Sequence, residues 1–173
     1  MNLKNNKGIS IIMLIVTIIL MLIITSMAVF YSNYIAPEAR LAAAYSSLVT
    51  IKDACTAALN EVSVDTSVDE FYFFGNTVKK SMSAAELDDV AKRCGLASKD
   101  EFGERTYKIS NDSDTENQRR LENLEIRGIT QAFIADLDNE KYYLINGVKK
   151  ADGSIVYEYA DVMASYKMLT TTH

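Results

Sequence analysis

Between Lys7 and Glu38 the chain carries no charge, and the 23 positions 9–31 are broken by only four polar side chains, Ser10, Thr17, Thr25 and Ser26. At about 1.5 Å per residue, a helix over these positions spans about 35 Å, enough to cross a hydrocarbon core of about 30 Å. The apolar part of a cleaved secretory signal is shorter, roughly 7 to 15 residues. A buried helix that is apolar on every face needs more covering protein than a chain of 173 residues readily supplies. The pattern predicts a membrane-spanning helix.

The period changes after Glu38. Leu41, Tyr45, Leu48, Ile51, Cys55, Leu59 and Val62 recur at steps of three and four, which places them on one face of an amphipathic helix over 38–62. Pro37 is the only proline and no glycine separates the two patterns, so the expectation is one long helix of about 50 residues kinked at Pro37, or a break there. Residues 63–67 read as a loop. The aromatic run 71–74, ended by Gly75-Asn76, reads as a short buried strand or docking segment. Ser83 and Glu86 have capping-box spacing, Leu87, Val90, Ala91 and Cys94 follow on one face, and Gly95 supplies a stop. A short strand is expected over 107–109, an exposed loop over 111–117 and one or two helical turns over 118–124. The last third alternates differently: 131–137, 141–145 and 154–159 are rich in Ile, Val, Tyr and Phe and are bounded by Asp138-Asn139, Asn146-Gly147 and Asp152-Gly153. Connections this short demand antiparallel pairing. The fold class is therefore α+β, with a long helix packed on an antiparallel β-meander.

Charge adds orientation. Lys4 and Lys7 precede the apolar run, whereas Arg40 beyond it is offset by Glu38, so the positive-inside bias puts the N-terminus in the cytoplasm and the remainder outside. That exported part holds all 23 acidic residues and 16 of the 18 basic ones, a net charge of −7. Nucleic-acid binding rests on a basic surface that releases phosphate counterions, so no direct nucleic-acid partner is expected.

Candidate chemistry is sparse. Cys55 and Cys94 both lie on apolar helical faces of an exported, disulfide-permissive domain, and a disulfide between them is the favoured expectation. It would close a loop of about 40 residues and stabilise the fold by about 4 kcal/mol. Two buried free thiols are the other reading. No metal or cofactor is expected: the single histidine, His173, belongs to the tail, and the two distant cysteines lack zinc-ligand spacing. Asp112, Asp114 and Glu116 alternate like a calcium loop, but Asn117 and Asn123 stand where its Gly and bidentate Glu belong. Asp136, Asp138 and Glu140 fit a hairpin turn more simply. With no phosphate loop, nucleophile elbow or Cys–His pair, no enzymatic activity is expected. The aromatic run 71–74 and Tyr142, Tyr143, Tyr157 and Tyr159 read first as core and second as a binding surface.

The stretch Lys7-Gly8-Ile9-Ser10-Ile11-Ile12-Met13-Leu14-Ile15-Val16-Thr17-Ile18-Ile19 resembles the leader junction of type IV pilins and pseudopilins, in which a short basic leader ends in Gly just before an apolar helix. The likeness is specific over about 4–31 and architectural beyond, where helix followed by meander matches the pilin layout. It implies cleavage by prepilin peptidase between Gly8 and Ile9 and N-methylation of Ile9. Gly8 suits such a site because a residue without Cβ lets the backbone approach a protease closely. The parts would be a leader at 1–8, a transmembrane or filament-core helix at 9–36, its amphipathic continuation at 37–62 and a globular head at 63–173. Most major pilins carry Glu at the fifth mature position, where this chain has Met13; in this it is similar to certain minor pilins and to pilin-like proteins of Gram-positive bacteria. The resemblance implies a structural subunit of a type IV pilus-like filament, or fimbrium, or of a pseudopilus. It would reside in the cell membrane and then in an extracellular filament. Its partners would be other pilin subunits in a homo- or heteropolymer, prepilin peptidase, the pilus assembly machinery, and membrane lipid before assembly. The alternative is an uncleaved single-pass membrane protein that displays an extracellular binding domain.

Overall fold

The structure, a computed structural model, describes residues 6–65 and 67–171, without the side chains of 6–12, 33 and 34. The leader before Asn6 and the tail residue His173 lie outside the described residues.

Helix α1 (Asn6–Phe30) and helix α2 (Ala36–Val64) are joined through a π-helical turn, Tyr31–Ile35, so the backbone stays helical for 59 residues, about 90 Å. Pro37 stands in the first turn of α2. In an α-helix its ring would strike the carbonyl four residues back, and it has no N–H to donate. The wider turn before it, in which the Ala36 N–H donates to the Tyr31 carbonyl five residues earlier, relieves that conflict. The irregularity thus precedes the proline, and no break separates the two halves.

The buried residues of α2 are Leu41, Ala44, Leu48, Ile51, Cys55 and Ala58, alternating at three and four, with Tyr45, Leu59 and Val62 packed at the margin. Short elements follow: α3 (Glu70–Phe74), α4 (Val78–Ser81), α5 (Ala84–Arg93), β1 (Thr106–Ile109) and α6 (Thr115–Asn123). Strands β2 (Phe133–Asp136), β3 (Lys141–Lys149) and β4 (Ile155–Glu158) come next, and α7 (Tyr159–Thr171) is the last described helix. The four strands form one antiparallel sheet in the order β1-β2-β3-β4.

Several expectations change. The aromatic run 71–74 lies in a helical turn: Asp69 caps α3 by accepting the Tyr72 N–H at 2.9 Å, and Gly75 ends it with φ +65°. Phe73 and Phe74 are buried while Phe71 and Tyr72 face solvent, which is grouping by helical face. The loop over 111–117 is shorter than expected, because Thr115 already begins α6 and Asn117 is buried. Asn146-Gly147 is not a chain reversal. Both residues adopt positive φ inside β3 and form a bulge, between the pairs Tyr143 with Glu158 and Val148 with Val156. A Cβ on Gly147 would stand 2.5 Å from Ile155 and 2.8 Å from Tyr157, so β4 can close on β3 here only over a glycine.

The sheet is buried on both faces. Phe133, Ala135, Tyr142 and Leu144 point to a core shared with α2, α3, α6 and α7, whereas Ile134, Tyr143 and Ile145 point to a second cluster with Val78, Val90, Ala91, Cys94 and Phe102. The head therefore has three layers, the sheet lying between the long helix and the capped helix α5. The Ser83–Glu86 capping box forms as its spacing predicts, and Gly95 follows α5 with φ +78°.

Candidate functional site

Among the described residues α1 is the one helix long and apolar enough to cross a membrane; the 18 residues Met13–Phe30 contain no charge, and none is buried. Met13, Leu14, Ile18, Met21, Leu22 and Ile24 are all more than half exposed, so the apolar surface runs around the whole helix. The described hydroxyls of α1 are satisfied within the helix. Thr17 donates to the Met13 and Leu14 carbonyls, Thr25 to Met21 and Ser26 to Leu22, at 2.7 to 2.9 Å. Hydroxyls that return to their own helix backbone can enter hydrocarbon or a bundle of like helices without an orphaned donor. Gly8 and Ile9 lie in the first turn of α1, where backbone N–H groups have no acceptor within the helix. Met13 is 69% exposed and brings no carboxylate to this surface.

The other end of the long helix is gripped by the head. Tyr45 of α2 stacks on Tyr166 of α7 with centroids 4.6 Å apart, and on Tyr159 at 6.2 Å. Lys52 lies over the Tyr159 ring at 4.9 Å. Helix α7, absent from the sequence expectation, thus runs antiparallel along α2, with Tyr159 beside Lys52 and Leu169 lining the same groove as Leu41.

The expected disulfide is not formed. Cys55 and Cys94 are both free and buried. Cys55 projects from α2 into one core and Cys94 from the end of α5 into the other, so the sheet stands between them, whereas a disulfide needs Cα atoms about 4.4 to 6.8 Å apart. Burial pushes each thiol up to about 12, against weaker opposing effects of Arg120 on Cys55 and Arg93 on Cys94. Such thiols are packing residues.

The acidic motifs are occupied by the protein itself. Burial alone would raise Asp112, but hydrogen bonds from Ser110, Lys108 and Asn117 outweigh it and hold the carboxyl well below the usual range. Asp136 is fully buried and accepts from the Gly103 N–H at 3.0 Å and from the Asn139 side chain at 2.8 Å. Asp138 receives the Arg105 backbone N–H and guanidinium at 2.8 and 2.7 Å. These carboxylates tie the segment before β1 to the β2–β3 turn. Among the described residues, no group of three or more His, Cys, Asp or Glu could hold a metal ion.

One interior charge had no distinctive sequence signal. Arg120, 4% exposed, donates to the Phe74 carbonyl at 2.6 Å, the Asn76 carbonyl at 3.2 Å, the Asn117 side chain at 2.8 Å and the Lys108 carbonyl. Burial lowers its pKa, but the guanidinium stays charged and fastens α3, β1 and α6 together. Comparison with protein-family models, with characterised proteins and with solved structures found no match to this chain.

Proposed function

We propose that the chain is a structural subunit, major or minor, of a type IV pilus-like filament or pseudopilus, in which α1 leaves the membrane and bundles with the same helix of neighbouring subunits. The supporting observation is the linker-free passage from an apolar helix, none of whose residues Met13–Phe30 is buried, to one that forms the core of its own head. A membrane tether needs length and apolarity but no rigid coupling to the domain it carries. A filament transmits the position of each bundled helix to its head and does need it. In this reading prepilin peptidase cuts between Gly8 and Ile9, Ile9 is N-methylated, and the head lies outside the cell. The role is architectural, with lateral packing of α1 replacing lipid after assembly.

Met13 favours a second reading, an uncleaved single-pass protein displaying a binding head, because no carboxylate in the apolar segment is available to pair with a neighbour's N-terminus. Intact mass and an N-terminal peptide map of the protein from its native host separate the two. Loss of residues 1–8 with a methyl group on Ile9 is the outcome expected of a filament subunit. An intact leader supports the display protein.

A further inference from the structure

The balance of charge differs between the two ends of the head. Its far end, where α2 finishes and α6 packs beside it, carries Glu61, Asp65, Asp69, Glu70, Glu122 and Glu125 against Arg105, Arg119 and Arg127, and is acidic on balance. Its near end, level with the first turns of α2, is formed by the β3–β4 turn and the last turns of α7, which meet Pro37 and Leu41 around one groove. Glu38, Lys150 and Asp152 line the groove, and Arg40, Lys149 and Lys167 are next to lining residues in the chain, so the edge as a whole carries four cations against two carboxylates on a part of the chain whose net charge is −7. Lys149, Lys167 and Arg40 are exposed, whereas Lys150 is partly covered and paired with Asp152 at 3.4 Å.

The position of this rim follows from the helix. If the apolar segment ends at the hydrocarbon boundary near Phe30, the rise from Phe30 to Leu41 is about 16 Å along a continuous helix. The headgroup layer occupies roughly the first 5 to 8 Å of that, and lysine side chains extend toward the boundary from the rim. The remaining gap falls within about a Debye length, so surface charge is felt there. Tyr31, 59% exposed, stands at the boundary itself, as aromatic residues at membrane interfaces do.

We propose that the basic rim of the head docks on the surface of an anionic bilayer before assembly, holding the unassembled subunit with its acidic end away from the membrane. The proposal rests on the reading of α1 as a spanning helix. Each lysine near an anionic surface contributes an affinity factor of about fivefold. Docking therefore depends on lipid charge and salt, whereas insertion of α1 depends on neither.

The test uses the full chain reconstituted in vesicles of phosphatidylcholine, alone or mixed with phosphatidylglycerol. A donor dye is attached at Ala151→Cys on the rim or at Val64→Cys on the far end, the native cysteines being buried. Energy transfer to a headgroup acceptor should rise with phosphatidylglycerol at position 151 but not at 64, and should fall with salt. Lys149→Gln and Lys167→Gln should each lower the docked-to-undocked ratio by up to about fivefold, and Lys150→Gln, whose charge Asp152 partly offsets, by less, while the Lys→Arg forms preserve it. Flotation with both vesicle types but equal transfer in each overturns the rim and leaves the spanning helix standing. A chain that floats with neither removes the spanning helix and the rim with it.

Discussion

Tyr45 and Tyr166 stack with ring centroids 4.6 Å apart and planes 15° apart, and this pair closes α7 onto the long helix at the near end of the head. Stacked aromatic pairs contribute about 0.5 to 1.5 kcal/mol beyond their burial. A double-mutant cycle of Tyr45→Leu and Tyr166→Leu, read by denaturant unfolding of the full chain in detergent, should return a coupling of that size. Additive single effects would mean that α7 is held by its other contacts, chiefly Val162 and Leu169.

The two cysteines should behave as independent core residues. Neither is expected to react with a thiol reagent in the native protein, since burial disfavours the thiolate and blocks access. Both should react once guanidinium unfolds the chain, and reduction should leave the intact mass unchanged. Cys55→Ala and Cys94→Ala should destabilise additively, because they lie in separate cores. A gain of two hydrogens on reduction would place a bond where the structure has a sheet.

These thiols also mark the boundary of what periodicity reveals. The spacing of Leu41, Leu48, Ile51 and Cys55 identified the buried face of α2, and the Ser83–Glu86 box marked the start of α5, because each depends on residues within a turn or two of one another. Which side of a sheet each helix covers depends on chain crossings tens of residues apart, and two apolar faces look alike until that is known. Asn146-Gly147 misled for a related reason: the same pair supplies the positive φ of a turn or of a bulge, and only the continued pairing of Val148 and Lys149 with β4 decides between them. Helix α7 had no strong stripe to announce it. Val162 is its one fully buried residue, and its tyrosines resemble those of the strands before it. Of the candidate site, the apolar helix was legible in full, since a charge-free run of this length needs no tertiary context.

Acid should loosen the start of α6 through Asp112. Its folded pKa lies below the unfolded value of about 3.9, so the native state binds fewer protons and the carboxylate stabilises it above that value. The contribution is lost as pH falls below about 4 toward the folded pKa. The side chain is 40% exposed, so solvent screening keeps the effect modest. Asp112→Asn should therefore lower stability slightly at neutral pH and flatten its decline in acid. Urea midpoints measured across that range check the sign: an unchanged slope would assign the acid dependence to other carboxylates.

The filament reading makes its strongest demand on the middle of α1. Ile15 and Ile18 are each about half exposed and lie six and nine residues past Ile9 in the charge-free run, about 9 and 14 Å along the helix, so a lysine at either position, and at Ile18 above all, reaches water only by drawing the helix out of place. A charge at mid-membrane costs at least about 2.5 kcal/mol on insertion scales, and in a bundle of like helices it would repeat in every subunit. Ile15→Lys and Ile18→Lys should therefore abolish insertion or assembly while leaving the head, whose core these residues do not touch, folded. Ile15→Leu keeps the apolar surface and should assemble normally. Membrane fractionation and filament yield in the native host distinguish the steps. A lysine variant found in the membrane but not in filaments places the requirement in the bundle, one missing from the membrane places it in insertion, and normal filaments from either lysine variant would refute bundling through α1.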